Sequence, residues 1–190
     1  MRIISGNLKG KKIFSPNNSF IRPTSDKARE MIFNILASIF EKDNVKFYNL
    51  KVLDCFCGTG ALGIESISRG AKQANFIDKS EKSLNLTKRN IINLDIKNFH
   101  IERIDLTKQF KKTKKNIDLF FLDPPYEKKI LNISFQNLIE SNWLKEDFYG
   151  VIESSKCESF FMPERCVKLK EKKIRKSTFY FIKSISVSAK

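Results

Sequence analysis

Gly58-Thr-Gly-Ala-Leu-Gly63 is a G-x-G-x-x-G turn, and its surroundings constrain the fold more than any other feature of the chain. It follows Lys51-Val-Leu-Asp-Cys-Phe56, an apolar run of the kind buried in a parallel sheet. It opens a helix expected to run to Arg69 and to close on Gly70. Asp78 ends the next apolar run, 20 residues beyond Gly58. Glycines in such a turn let a ligand approach the backbone closely, and an acid at that distance grips ribose hydroxyls. The turn predicts a nucleotide-type ligand and makes Gly58, Gly60 and Asp78 binding candidates.

The strand–helix unit repeats. Residues 74–77, 99–104, 117–122 and 149–153 read as further strands. Ser80 caps a helix carrying Leu84, Ile91 and Leu94, and another helix is expected over about 130–141. Such alternation predicts an α/β fold with a mostly parallel, doubly wound sheet. Residues 167–188 read as antiparallel strands around a basic turn. Upstream, residues 2–4 and 11–14 flank Gly6 and Gly10 and suggest a basic hairpin. Pro23 forces an extended approach to a helix that Ser25 or Asp26 can cap. Ala28, Met31, Ile32, Ile35, Leu36 and Ile39 follow at helical spacing. The expected organisation is a hairpin–helix extension over 1–40 and the alternating domain over 41–190.

Composition narrows the class. With 190 residues, 41% of them hydrophobic and 17 Phe, the chain can build a core without disulfides. No apolar run approaches the roughly 20 residues of a membrane span, and the start lacks the apolar stretch of a signal peptide. Four scattered cysteines then suggest reduced thiols and a cytoplasmic protein. Lys and Arg outnumber Asp and Glu 36 to 21, a net charge of +15, which points toward a polyanionic partner. A chain rich in Lys, Ile, Asn and Phe together is also what A+T-rich coding produces, so charge alone does not decide this.

Asp54 distinguishes between nucleotides. It sits four residues before Gly58, as D-x-x-x-G-x-G. A carboxylate aimed at that crevice repels a pyrophosphate but suits the ammonium and sulfonium charges of S-adenosylmethionine. The pattern resembles motif I of the Rossmann-like methyltransferases, which implies that Asp54 lies near the methionine moiety and Asp78 binds the ribose. By the same resemblance Asp105, ending the third strand, matches the position of an adenine contact. An ordinary solvated loop acid is the plainer reading of Asp105.

Asp123-Pro124-Pro125-Tyr126 follows the fourth strand and, at the carboxyl end of the sheet, should face the glycine turn. The lone pair of an aromatic exocyclic amine is delocalised and attacks poorly. An Asp oxygen and a backbone carbonyl accepting its two N–H bonds can hold the nitrogen partly pyramidal. The prolines fix φ and so stiffen the carbonyl's direction, and Tyr126 can stack on a base. The tetrapeptide resembles motif IV of the amino-methyltransferases.

The likeness extends further. Arg2-Ile-Ile-Ser-Gly-Asn-Leu-Lys-Gly-Lys-Lys-Ile13, Arg22-Pro-Thr-Ser-Asp-Lys-Ala-Arg-Glu-Met-Ile-Phe-Asn-Ile-Leu36 and Leu53-Asp-Cys-Phe-Cys-Gly-Thr-Gly-Ala-Leu-Gly-Ile-Glu65 resemble the RsmD-type bacterial guanine-N2 methyltransferases of small-subunit rRNA. The resemblance implies a Rossmann-like fold with an antiparallel C-terminal strand. It also implies S-adenosylmethionine as cofactor and one guanine of 16S rRNA as substrate, free or in a small-subunit assembly particle. The enzyme is expected to act as a monomer, with no membrane partner. Lys9, Lys11, Lys12 and Arg22, in the most family-specific segment, are the expected phosphate contacts.

Other features point to no chemistry. Neither Cys157 nor Cys166 completes a metal spacing with Cys55 and Cys57. His100 has no triad partner, Trp143 reads as core, and the run 108–115 reads as a solvated face. The competing functions are a DNA adenine-N6 or cytosine-N4 methyltransferase and a non-catalytic RNA-binding module. Against the first, nothing resembles a separate DNA-recognition domain; against the second, Asp54, Gly58, Gly60, Asp78 and Asp123 are all intact. A dehydrogenase fits least, given Asp54.

Overall fold

A computed structural model describes residues 1–15, 25–126, 130–155 and 158–185. Its elements are α1 (Asp26–Lys42), β1 (Lys51–Cys55), α2 (Ala61–Ser68), β2 (Gln73–Asp78), α3 (Glu81–Asn93), β3 (Phe99–Arg103), β4 (Ile117–Leu122), α4 (Leu131–Glu140), β5 (Leu144–Ser155), β6 (Cys166–Ile174) and β7 (Ser177–Ser184). The fold is mixed α/β, with a seven-stranded, mostly parallel sheet whose C-terminal strands run antiparallel. The chain forms two compact units, Met1–Ile104 and Asp105–Lys190.

In the first unit the parallel strands lie in the order β3-β2-β1, with Asp54 opposite Phe76 and Asp78 opposite Arg103. Both acids therefore sit at or next to the carboxyl ends of their strands, where parallel sheets receive ligands. Ser25 caps α1 by accepting from the Ala28 N–H, and Ser80 caps α3 by accepting from Ser83. The predicted hairpin is present as a bridge between Arg2 and Lys12, with the Ile3 N–H donating to the Lys11 carbonyl at 3.0 Å. Its apolar residues turn inward. Ile3 and Ile13 join Ala61, Ile64, Phe76, Leu84 and Ile91 in one core, while Lys9, Lys11 and Lys12 are exposed.

In the second unit the order is β4-β5-β7-β6. Every residue of β4 is buried, and Phe120 packs between Phe135 and Phe148 at centroid distances of 5.7 and 5.8 Å. Trp143 is buried as expected, with its indole N–H on the Lys111 carbonyl. β5 begins earlier than the sequence suggests. The sequence places this strand at 149–153, yet Leu144 pairs with Ile117 across an irregularity in register, and Lys145 forms an ion pair with Asp118. The two tail strands are present as β6 and β7, turning at Arg175 with φ 51°. β6 ends the order, and its exposed Lys168, Lys170, Lys172 and Lys173 charge an edge that would otherwise recruit further strands.

Candidate active site

The glycine turn and both acids of the first unit form one hydrogen-bonded group. Asp78 Oδ2 accepts the Gly58 N–H at 3.2 Å, and its Oδ1 accepts the Ser80 N–H at 2.8 Å. Asp54, only 3% exposed, accepts the Gly63 N–H through Oδ2 at 2.9 Å. Phe56, Gly58 and Gly60 have φ of 56°, 55° and 77°, so the chain turns through the left-handed region at alternate residues. Gly63 is needed for another reason: a Cβ there would come within 2.3 Å of the Phe76 ring. Helix α2 can approach β2 only with hydrogen at that position.

Helix α3 fixes the turn from behind. The Thr87 hydroxyl donates to the Gly58 carbonyl at 3.0 Å, and Asn90 Nδ2 donates to the Thr59 carbonyl at 2.9 Å. The same Asn90 amide also holds the hairpin, accepting from Phe14 N at 2.8 Å and donating to its carbonyl at 3.1 Å. A second anchor is Glu65, which is fully buried on α2. It accepts the Ile4 and Ser5 N–H groups at 2.9 and 3.0 Å and Arg69 Nε at 2.9 Å. The buried Arg29 guanidinium lies 3.9 Å from it and donates to the Arg2 carbonyl at 2.6 Å. Sequence reasoning assigned none of Arg29, Glu65, Thr87 and Asn90 a role. The one available signal was an acid within the otherwise apolar and small run Ala61-Leu-Gly-Ile-Glu-Ser-Ile-Ser68.

Burial raises the Asp54 carboxyl from its ordinary 3.8 to about 7; the Gly63 N–H opposes this, and the charge of Asp78 adds to it. Native Asp54 thus keeps a proton that the unfolded chain releases near pH 4. The native state binds more protons in that interval, so the ligand-free protein loses stability as pH rises from about 4 to 7. A site with this pair of acids favours a cationic ligand that brings hydroxyls, and disfavours a pyrophosphate. Burial also pushes the thiols of Cys55 and Cys57 well up, with Asp54 adding to the effect, which leaves them inert. Among the described residues no His, Cys, Asp or Glu cluster could hold a metal. Cys157 lies outside the described residues.

In the second unit, Asp123 and Tyr126 are partly exposed, Pro124 is buried and Pro125 is exposed, directly after β4. The Tyr126 hydroxyl donates to Glu153 of β5 and is 2.6 Å from the Ser177 hydroxyl of β7. Burial, and next the hydrogen bond to Glu153, raise the Tyr126 pKa, so the phenol stays protonated. The tyrosine is thereby held at its far end, with its ring direction set by two strands. Neither Glu153 nor Ser177 was marked in the sequence, because they lie 27 and 51 residues from Tyr126. Asp105 opens this unit, and its Oδ1 accepts from the Thr107 N–H at 3.1 Å and hydroxyl at 2.6 Å, the geometry of a local turn. Of the basic candidates, Lys9, Lys11 and Lys12 are exposed on the hairpin, and Arg22 lies outside the described residues. His100 sits exposed on β3 beside Glu102.

Comparison with known proteins matches this pattern. The family described as "Conserved hypothetical protein 95" matches residues 1–183. Ribosomal RNA small subunit methyltransferase D of Buchnera aphidicola is 36% identical over 171 residues, covering 90% of this chain and 86% of that one. The Haemophilus influenzae protein of the same name is 32% identical over 176 residues, covering 90% and 88%. The solved structure of the Escherichia coli protein yhhF superposes with a TM-score of 0.83 at 26% identity, covering 97% of each chain. With the match running from the hairpin to β7, the chain belongs to the conserved hypothetical protein 95 family, to which the small-subunit rRNA methyltransferase D proteins also belong.

Proposed function

We propose that this protein transfers a methyl group from S-adenosylmethionine to the exocyclic N2 amine of a guanine in 16S rRNA. The observation that carries the reading is the group formed by Asp54, Asp78 and the left-handed glycines, in a chain of this family. When bound, S-adenosylmethionine supplies an activated methyl on a sulfonium. Asp54 would face the cationic end of that ligand, and Asp78, oriented by Gly58 and Ser80, would take the ribose hydroxyls. Gly58 and Gly60 offer their backbone to the ligand, and a Cβ at Gly60 would press on Thr87 at 2.8 Å, so hydrogen there lets the turn sit against α3. Asp105 is assigned to the adenine.

Asp123 and the Pro124 carbonyl accept the two N–H bonds of the target amine. This turns the nitrogen lone pair out of conjugation and toward the incoming methyl. Pro124 and Pro125 keep that carbonyl from swinging, and Tyr126 offers its ring to the base. The nitrogen would take the methyl group that the bound donor supplies, leaving the thioether, and Asp123 or water would take the extra amine proton. Lys9, Lys11, Lys12 and Arg22 hold phosphates on the rRNA. The protein works as a cytoplasmic monomer, on rRNA or on a small-subunit assembly particle. No helix among the described residues is long and apolar enough to cross a membrane.

Transfer of labelled methyl groups to small-subunit rRNA from a strain lacking this protein, followed by nucleoside digestion, tests the reaction. Label is expected in N2-methylguanosine; label in DNA adenine or cytosine, or none at all, would overturn the reading. Calorimetry tests the cofactor separately. S-adenosylmethionine should bind and NAD should not. Because Asp54 must give up its proton to meet a cation, affinity should rise with pH, by at most about tenfold per unit, and level off above about pH 7. A flat profile would remove Asp54 from the contact.

A further inference from the structure

Outside the site described above, the first unit has an open cleft of about 490 Å³ between the end of the hairpin and α3, lined by Phe14, Asn85, Lys88, Arg89, Ile92 and Asn93. Its chemistry is unusual for a solvated helix face. Phe14 is 39% exposed and Ile92 is 64% exposed, and the Arg89 guanidinium lies over the Phe14 ring at 4.2 Å from the centroid. The aromatic is not loose: both backbone polar groups of Phe14 are held by the buried Asn90 amide. Among the described residues no acid lines the cleft. The nearby Asp95 is ion-paired with Lys97 and is also within the field of Lys11.

We infer that this cleft binds an unpaired nucleotide of the RNA substrate. The base stacks on the Phe14–Arg89 platform, and the flanking phosphates meet Lys88 and the hairpin lysines. A planar ring system fits such a platform because every base has a π-face and a guanidinium plane stacks equally well. The absence of lining acids suits a polyanion, whereas an acidic or mixed protein surface would leave the fixed Phe14–Arg89 pair without a planar partner. Asn85 and Asn93 offer donors and acceptors to base edges. The inference rests on the proposed RNA substrate and extends it to a nucleotide other than the one methylated.

The test is equilibrium binding of fluorescein-labelled 12-nucleotide oligouridylate and of a 12-base-pair RNA duplex to the full chain and its variants. Phe14→Leu should weaken single-strand binding about tenfold and leave duplex binding unchanged, since a duplex offers phosphates but no free base face. Phe14→Trp should bind the single strand at least as tightly as the parent, a result that a purely structural role for Phe14 would not give. Arg89→Gln should weaken both RNAs. Equal single-strand affinity for Phe14→Leu, or equal loss on both RNAs, would overturn the inference and leave the cleft to a protein partner. Methylation of rRNA with an unresponsive Phe14 removes the subsite and keeps the reaction; a responsive Phe14 without methylation does the reverse.

Discussion

Asp123→Ala is expected to lower methyl transfer by 100- to 1,000-fold, or about 2.7–4 kcal/mol, the usual cost of removing one preorganised polar contact to a reacting group. S-adenosylmethionine affinity should stay unchanged, because the groups assigned to that ligand's cationic end and ribose lie on β1, β2 and the glycine turn. The split matters more than the size. In the proposed reaction Asp123 takes hydrogen bonds that strengthen as the nitrogen becomes pyramidal, so its removal acts on turnover and not on donor binding. Single-turnover rates with saturating donor, alongside calorimetry on the same variant, measure both quantities. Near-normal turnover, or loss of donor binding with turnover preserved at saturation, would remove Asp123 from the mechanism.

Glu65→Ala should cost about 3–5 kcal/mol of stability, the range for breaking a buried ion pair by deleting one partner. Glu65 and Arg29 are both fully buried, and the carboxylate also takes the N–H groups of Ile4 and Ser5. Among the described residues, deletion leaves the Arg29 cation in the interior with Asp26 and the Arg2 carbonyl as its hydrogen-bond partners. For a chain of this size the unfolding midpoint should fall by roughly 10 °C. Amide exchange at Ile4 and Ser5 should accelerate as well, since those N–H groups lose their acceptor. A midpoint within a degree of the parent would show that neighbouring groups or water replace the carboxylate.

The elements and the glycine site could be read from the sequence because their signals are local. Strand periodicity, the caps Ser25 and Ser80, and the sequence from Asp54 to Asp78 all lie within a few turns of chain. The long β5 was hidden for a physical reason. Lys145-Glu-Asp147 looks like solvent-exposed loop until Asp118, on the neighbouring strand, supplies a partner for Lys145. The anchors were hidden for a similar reason. Glu65 meets Ile4 across 61 residues and Asn90 meets Phe14 across 76, and no spacing rule links positions so far apart. The sequence presents Tyr126 as a stacking ring, but nothing near Glu153 or Ser177 marks either residue as a receptor for its phenol.

The hairpin's reliance on Glu65, Ser68 and Asn90 reverses the usual order of maturation on the ribosome. Domains ordinarily settle from their N-terminal side as they emerge, at roughly 5–20 residues per second. Here residues 1–14 precede Asn90, 76 positions beyond Phe14, and find their last fastening only when it appears, roughly 4–15 s later at that pace. Until then the two inward isoleucines lack the core they join, and the lysines project from an unanchored strand. The hairpin is thus among the last parts of the first unit to become fixed. A fusion placed before Met1 would act on the step that closes the first unit, whereas one placed after β7 would leave that step untouched.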